Sequence, residues 1–588
     1  MPGASNSRER TSPRRRLSRP EVTRDRRVET GQWETLPERL AATDWGLGIT
    51  VAVSCSLVYL LLRPPLFDYD GYMYRLWAIA PGAWYNANPH HVLWNAVQMV
   101  FANVAGGVGP PATAAFQVVG IVVGCVALFF FFVLLRHAVG NRSFAFAATI
   151  LLAFSPAFWW VTLQNHPYPL ASLFLVLYFL CWSSGDHSLP GVWRLAAAAI
   201  CLVLSACFHQ AVALLIAPAA IVLSNYGKDA LPRRLARSLL WSAIVSIGLL
   251  AIYILFWRTI DANDSLVRWS TSYAEDLHPP QIFHIGLPAV FARAIAGWSG
   301  SLIQTSQFKQ YLADNLPKSE VLTLYGTLGL LIVAAMLVFL LRTDTRRCLS
   351  SLTRSTPLFL LAALSTLTWW GFAFSWEGAT EHYWVLGTLP ALLCLGLILK
   401  ELGWPRLDVF LIAVALVSAW NVYANHSSDL EASVSVPEPA LRAIDKHLSG
   451  HDVFIVLSGA AHGGSDYGLL LDILKMSPPS PAISIADDII ATADPDRTWQ
   501  SVLKGRIDST LHAGGKVYVA AHLFAPGEYE DLSSDNDPFA EQTNPQFRAI
   551  DSNQLYGQVT GLLAAYSMKP SDLQIVNDRY FVLQSDHR

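Results

Sequence analysis

The sequence predicts an α-helical polytopic membrane protein with about eleven spans and a small C-terminal α/β domain outside the membrane. Its 588 residues are 53% apolar and only 14% charged, with a mean hydropathy of +0.35. Soluble proteins carry about 25% charged residues, so much of this chain faces a medium other than water. From Asp44 onward, apolar stretches recur at the length that a helix needs to cross a bilayer. This composition excludes the about four soluble domains that length alone suggests.

The N-terminal region, residues 1–43, differs from the rest of the chain. It is rich in Arg, Ser and Pro and has no apolar run that could form the core of a signal peptide. A segment of this composition cannot bury enough apolar surface to fold. We therefore predict a disordered basic tail on the cytoplasmic side, where it helps to fix the orientation of the first span.

The membrane domain is predicted to cover residues 44–423. Its expected spans are 44–63, 112–135, 143–163, 168–184, 191–208, 209–225, 237–257, 321–341, 357–374, 383–399 and 405–423. Only Phe208-His209-Gln210 separates the fifth span from the sixth. Four loops rich in Lys and Arg, residues 136–142, 228–237, 342–354 and 400–406, fall on the side of the N-terminal tail, which is therefore the cytoplasmic side.

An odd number of spans places residues 424–588 on the outer side. This region contains 22 Asp and Glu residues against 11 Lys and Arg residues, so it is acidic. Strand-like runs at 452–457, 516–520, 573–576 and 580–583 alternate with helix-like stretches at 467–476 and 558–568. Alternation of this kind predicts a small α/β domain.

The predicted spans hold almost no Asp, Glu, Lys or Arg in their interiors. This counts against an ion-coupled transporter, which is expected to keep carboxylates near the middle of the bilayer. The polar side chains gather instead at the outer ends of the helices and in the first outer loop. We expect an outward-facing polar cavity walled by several helix ends.

Two carboxylates follow the first span, within Phe67-Asp-Tyr-Asp-Gly-Tyr-Met-Tyr74. In an extended segment Asp68 and Asp70 project to the same side. Either one could take a proton from a hydroxyl group, and together they could bind Mg²⁺ or Mn²⁺ through oxygen ligands. The alternative is that they only solvate the exit of the span.

Several histidines and one arginine are further candidates. Because His90 and His91 are neighbours, we expect at most one of them to join the site. His166, His209 and His382 lie at outer helix ends, where each either lines the cavity or has a structural role. Arg258, at the outer end of the seventh span, is the first choice for binding a phosphate, and headgroup anchoring is its alternative role. The nearby segment 282–298 is amphipathic and could lie in the interface plane.

The motif Asp68-Tyr-Asp70-Gly-Tyr72 opens the first outer loop and Asn88-Pro-His-His91 closes it. With about eleven spans and an outer C-terminal domain, this combination resembles the GT-C superfamily of membrane glycosyltransferases, which includes protein O-mannosyltransferases and aminoarabinose transferases. The resemblance covers about residues 44–423. Many of these enzymes have an Asp-Glu pair where this chain has Asp-Tyr-Asp.

The resemblance implies transfer of a hexosyl or pentosyl group from a polyprenyl-phosphate donor to a glycan, lipid or protein acceptor on the outer face. It also implies that Asp68 or Asp70 is the catalytic base. From the residues alone, the same pair is the one candidate ligand set for a divalent metal. The remaining polar residues of the outer face are the predicted substrate contacts: Tyr72, Tyr74, Asn88, His90, His91, His166, Arg258, Glu381 and His382.

Two other functions are compatible with the sequence. A polymerase or ligase of lipid-linked glycans would also place a large outer loop beside a polar cavity, with arginines at its centre. A lipid or glycan transporter or flippase is disfavoured by the charge-free helices. A basic tail without a cleavable signal agrees with a bacterial inner (plasma) membrane protein, in contact with membrane lipids and without a nucleic-acid partner.

Overall fold

The structure of the protein is a computed structural model. It describes residues 42–64, 71, 74, 89–105, 110–183, 189–227, 229–259, 265–272, 286–341, 343–376, 378–404, 406–434, 452–456, 482–484, 499–524, 552–575 and 578–584. The predicted N-terminal tail, 1–43, lies outside the described residues except for its last two.

The first part of the chain is helical. Its α-helices are α1 Ala42–Leu62, α2 Val92–Ala105, α3 Pro110–Val139, α4 Arg142–Phe154, α5 Pro156–Leu163, α6 Tyr168–Trp182, α7 Val192–Phe208, α8 Ile216–Asn225, α9 Leu231–Thr259, α10 Leu266–Ser272, α11 Leu287–Leu302, α12 Ser306–Asn315, α13 Lys318–Leu341, α14 Thr343–Ser355, α15 Pro357–Ser375, α16 Val385–Glu401 and α17 Leu407–Val434. Three 3₁₀ turns connect them, at Pro89–His91, Gln210–Leu215 and Glu381–Trp384.

Nine of the eleven predicted spans each coincide with one apolar helix, the third is divided between α4 and α5, and the sixth consists of a 3₁₀ turn followed by α8. Within the described residues, six helices are long and apolar enough to cross a membrane, or seven if the bent pair α4 and α5 is one span. Four shorter apolar helices correspond to the other predicted spans: Tyr168–Trp182, Val192–Phe208, Gln210–Asn225 and Ser319–Ile332. The membrane-spanning character is thus supported by length and composition, and the count of eleven stays a prediction.

The outward faces of several helices are apolar. Leu239 and Leu240 on α9 are 71% and 64% exposed, and Leu330 and Leu331 on α13 are 65% and 63% exposed. Such broad apolar exposure is unusual in a soluble protein and suits contact with lipid. The interior is filled by large aromatic side chains, among them Trp159, Trp182 and Trp369.

The third predicted span is broken in the middle. Helices α4 and α5 meet at Ser155 with a bend of 60°. Pro156 at the start of α5 lacks the backbone N–H that a continuous helix would need. The Ser155 hydroxyl accepts from the N–H of Phe158 at 3.4 Å, and Asn425 Nδ2 lies 3.5 Å from the carbonyl of Phe154. The Ser-Pro dipeptide marks this break, although a hydropathy window does not detect it.

From the sequence we expect the segment 282–298 to lie in the interface plane, but the part of it that the structure describes is largely buried in the protein. Helix α11 covers most of it, and the side chains from Ala292 to Gly297 are buried. Its close approach to neighbouring chain segments depends on Gly297, because a Cβ there would overlap the carbonyl of Gly378. The apolar face of α11 is therefore covered by protein.

The last membrane helix, α17, continues to Val434, past the predicted end of the span at 423. Beyond it, the structure describes five strands, β1 Val453–Val456, β2 Ala482–Ser484, β3 Val517–Ala520, β4 Ser567–Ile575 and β5 Asp578–Gln584, and two α-helices, α18 Trp499–His512 and α19 Ser552–Leu563. The sheet order is β2-β1-β3-β5-β4. Strands β1, β2 and β3 are parallel, and β5 is antiparallel to β3 and β4.

This sheet agrees with the predicted strand and helix alternation for the C-terminal region 424–588. One boundary was wrong: residues 567 and 568 open strand β4, whereas the sequence placed the end of a helix there. The predicted helix at 467–476 lies outside the described residues. Strand β4 pairs with β5, the next strand along the chain, with an irregularity between Pro570 and Gln574, and periodicity within one segment does not reveal this pairing.

A buried carboxylate joins three helices at the end of the bundle where α1 begins. Asp44, 3% exposed, accepts from Arg136 Nε at 3.2 Å and from Arg142 Nε at 2.5 Å.

We expect Asp44→Ala to lower the free energy of unfolding by about 1–3 kcal/mol, because two charged hydrogen bonds are lost. Thermal unfolding in detergent measures the effect, with Asp408→Ala, an exposed carboxylate at the start of α17, as the control. Equal shifts for both variants would contradict the prediction.

Candidate functional site

Five histidines lie close together at the end of the bundle where α5 and α7 end, four of them buried and His382 half-buried. His90 and His91 come from the first 3₁₀ turn, His166 follows α5, His209 separates α7 from the second 3₁₀ turn, and His382 lies in the third. The ring centroids of His90 and His209 are 4.6 Å apart, and those of His91 and His209 are 5.4 Å apart. We call this group the histidine cluster.

Two aromatic residues join the members of the histidine cluster. The Tyr168 hydroxyl lies 2.9 Å from Nε2 of His209, and its ring centroid is 5.4 Å from that of His382. Trp160 lies 4.4 Å from His166 between ring centroids and stacks on His382 at 4.9 Å. Neither Tyr168 nor Trp160 was predicted from the sequence, because each lies inside an apolar run.

Both neighbouring histidines belong to the cluster, so the expectation that at most one of them would join was wrong. That expectation assumed a regular element. In the 3₁₀ turn the rings of His90 and His91 are in contact, with centroids 4.5 Å apart. His91 Nδ1 lies 2.7 Å from the carbonyl oxygen of Phe208, the last residue of α7, so this nitrogen carries the proton and donates.

Two described residues of the segment 67–74 lie at the histidine cluster, Tyr74 against two of its rings and Gly71 against the neighbouring Asn165. The Tyr74 ring lies 5.8 Å from His91 and 5.7 Å from His166 between centroids. The carbonyl of Gly71, the residue after Asp70, accepts from Asn165 Nδ2 at 2.9 Å. Asp68, Asp70, Tyr72 and Asn88 lie outside the described residues.

Asn165, which donates to the carbonyl of Gly71, has a backbone conformation that is uncommon for residues other than glycine. Its φ is +58°, in the left-handed region that Asn tolerates better than most residues. Gln98 donates to its Oδ1 at 2.9 Å, and Asn165 Nδ2 lies 3.2 Å from Gln98 Oε1. The sequence gives one clue to this position, since Asn165 stands in a polar break between two apolar runs.

A cavity of about 180 Å³ lies beside the cluster. Its lining residues are Pro156, Ala157, Trp159, Trp160, Gln304, Glu381, His382 and Asn425. Glu381 Oε1 accepts from Lys309 Nζ, on α12, at 2.5 Å. The structure thus brings two predicted contacts, Glu381 and His382, into one wall.

The predicted phosphate-binding cation is not among the residues that line this cavity. Arg258 is exposed in the last turn of α9. Among the other basic residues of the second outer loop, Arg293 on α11 is only 3% exposed. In the described residues, no group of three or more His, Cys, Asp or Glu side chains is arranged to hold a metal ion.

Solved structures with a similar fold include two kinds of protein. Archaeal oligosaccharyltransferase AglB from Archaeoglobus fulgidus, in complex with an inhibitory peptide and a dolichol-phosphate, is 11% identical with a TM-score of 0.44, over 93% of this chain and 75% of that one. ArnT from Cupriavidus metallidurans, bound to undecaprenyl phosphate, is 12% identical with a TM-score of 0.40, over 93% of this chain and 99% of that one.

No family model and no curated protein sequence match this chain. Because the TM-scores are below 0.5, the function proposed for this chain rests on its own residues.

The buried His91 predicts a pH dependence of stability. Burial lowers the pKa of its imidazole well below the usual value, and repulsion from His90 adds to this, while the hydrogen bond to Phe208 acts in the opposite direction. The unfolded chain binds a proton at this residue below about pH 6.5, whereas the folded chain does not. Stability is therefore present above about pH 6.5 and is lost as the pH falls.

We expect His91→Asn, which keeps a donor for the Phe208 carbonyl, to reduce the fall in Tm between pH 7.5 and pH 5.5. The control is His512→Asn, an exposed histidine whose Nδ1 also lies near a backbone carbonyl, that of Asp508. Differential scanning fluorimetry at both pH values measures the effect. An unchanged fall in Tm for His91→Asn would show that this residue does not contribute.

The hydrogen bond from Asn165 to Gly71 gives a further prediction. Asn165→Asp keeps the size and the left-handed preference but removes the donor, so we expect faster amide hydrogen exchange in peptides containing Gly71. Asn315→Asp, at an exposed helix end, is the control. Mass spectrometry of exchange in detergent tests this, and equal protection in wild type and Asn165→Asp would overturn it.

Proposed function

We propose that this protein is a membrane glycosyltransferase that moves a hexosyl or pentosyl group from a polyprenyl-phosphate donor to an acceptor on the outer face. The observation that carries the proposal is the attachment of the acidic motif to a buried polar cluster. Gly71 and Tyr74 contact Asn165, His91 and His166, which lie at the outer ends of apolar helices. Polar groups buried at such a place are costly and therefore point to a site.

The chemistry needs few protein groups, because a phosphate is already a good leaving group. In the proposed reaction, the carboxylate of Asp68 or Asp70 takes the proton of an acceptor hydroxyl. The hydroxyl oxygen forms a bond to the anomeric carbon, and the bond from that carbon to the phosphate oxygen breaks. Polyprenyl phosphate leaves with the electron pair, and the remaining protein groups orient the two substrates.

The histidine cluster suits an orienting role. Buried imidazoles offer both donor and acceptor nitrogens without fixed charge, so they can bind hydroxyl and phosphate oxygens without an ion pair. Arg258, exposed at the end of α9, remains the proposed cation for the phosphate at the level of the lipid headgroups. If a divalent metal takes part, Asp68 and Asp70 are its proposed ligands, and it would neutralise charge on the phosphate.

The proposed orientation places the N-terminus in the cytoplasm and the region 424–588 outside, in a bacterial inner (plasma) membrane. It is supported by the position of the Asp44, Arg136 and Arg142 group at the end of the bundle opposite the histidine cluster. Helix α3 runs between the two ends, with Arg136 in its last turn. Basic residues collect at the cytoplasmic ends of spans.

The catalytic role of the acidic pair is tested with single Asp68→Asn and Asp70→Asn variants in proteoliposomes supplied with undecaprenyl-phosphate hexoses and pentoses and with native membrane acceptors. Loss of the base is expected to lower sugar transfer by about 10²–10⁴-fold. Asp408→Asn, a carboxylate of the predicted cytoplasmic side, is expected to transfer at the wild-type rate.

Wild-type transfer rates in both folded variants would contradict the proposed base. Passage of the lipid-linked sugar across the vesicle membrane without any transfer would replace the glycosyltransferase with a flippase.

A further inference from the structure

The cavity beside the histidine cluster has walls of contrasting chemistry. Trp159 and Trp160, on the tilted helix α5, supply flat apolar surface, whereas Gln304, Glu381 and Asn425 supply amide and carboxylate groups. A sugar ring has the same contrast, since its C–H groups form apolar patches and its hydroxyls lie around the edge. Pockets that bind small polar molecules combine such apolar walls with a few well-placed polar groups.

The volume limits the size of the occupant. At about 180 Å³ the cavity is smaller than the pockets of about 300–1,000 Å³ that hold drug-sized molecules, and it has room for one small ring. This suits one monosaccharide unit rather than an oligosaccharide.

The charges in the wall select against an anion. The Glu381 carboxylate lines the cavity, and the nearby cation, Lys309, is already paired with it at 2.5 Å. A phosphate in the cavity would lie against a carboxylate, which is repulsive. An ionised carboxylate only accepts hydrogen bonds, so its natural partners here are hydroxyl groups.

The polar wall is held in place by surrounding contacts. Gln304 donates from Nε2 to Asn425 Oδ1 at 3.1 Å and from its backbone N–H to Asn421 Oδ1 at 2.9 Å. On the other side, a Cβ at Gly300 would overlap Glu381 Oε1 and lie 2.7 Å from Lys309 Nζ. Because Gly300 has no side chain, the ion pair of Glu381 and Lys309 fits beside it. The polar wall is therefore in position before a ligand binds.

We propose that this cavity binds one neutral sugar ring of a substrate, with Glu381 as the specificity-determining hydrogen-bond acceptor and Lys309 as the positioning residue that orients its carboxylate. The inference rests on the proposed function for the source of the ring, which is the donor sugar or the terminal sugar of an acceptor. The shared residues Trp160 and His382 place the ring next to the histidine cluster.

The test is saturation-transfer NMR on the full chain in nanodiscs, with the methyl glycosides of glucose, mannose, galactose, N-acetylglucosamine and arabinose as probes. We expect at least one glycoside to bind the wild type. Glu381→Gln and Gly300→Ala should each weaken that binding by about tenfold, because one removes the charge of the acceptor and the other displaces it.

Matched controls are Glu401→Gln, at the opposite end of α16, and Gly371→Ala, where nothing lies within 4 Å of the added Cβ. Both should bind as the wild type does. If no glycoside binds the wild type, or if both cavity variants bind it normally, the proposal is wrong. The second variant guards against a folding defect in the first, and thermal unfolding checks both.

Steady-state transfer separates the two sources. A raised KM for the donor in Glu381→Gln assigns the ring to the donor, and a raised KM for the acceptor assigns it to the acceptor. Because glycoside binding is measured without transfer, its loss or persistence is independent of the proposed reaction. Glycoside binding without transfer from any polyprenyl-phosphate sugar would remove the proposed function and leave the binding site.

Discussion

The need to satisfy backbone groups wherever a helix is interrupted in an apolar surrounding determines much of this structure. At three positions near helix ends or turns, a side chain donates a hydrogen bond to a backbone carbonyl. Asn421 Nδ2 donates to Leu302 at 2.7 Å, Tyr253 donates to Pro89 at 2.8 Å, and Trp384 Nε1 donates to Gly378 at 3.0 Å. The first two contacts join segments that are 119 and 164 residues apart in the sequence, and the third holds the turn that carries Glu381 and His382.

The sequence was sufficient for features that depend on composition and charge. The apolar stretches of the sequence coincide with apolar helices or helix pairs, and the distribution of Lys and Arg predicts an orientation. It was insufficient where contacts between different elements decide the outcome. The burial of α11 depends on contacts such as the one between Gly297 and Gly378, and the pairing of β4 with β5 converts residues with helical periodicity into a strand.

The candidate site was predicted in part. Polar residues in helix breaks, such as His166, His209 and His382, stood out because ionisable groups are rare in apolar segments. The same criterion missed Trp160 and Tyr168, since aromatic residues are common in membrane helices. It also failed to link Glu381 with Lys309, because 72 residues separate the two and nothing local records their contact. Which residues meet is a property of the tertiary fold.

The bend at Ser155 has a consequence for how the cavity can change. The helix direction turns by 60° at Ser155, and this bend sets the position of Trp159 and Trp160 in the cavity wall. The bend therefore sets where this wall lies, while the other lining side chains set what the cavity can bind. Replacements at Gln304 or Asn425 could alter which molecule fits while the backbone frame stays the same. The ligand that the cavity recognises can therefore change during evolution while the arrangement of the helices stays the same.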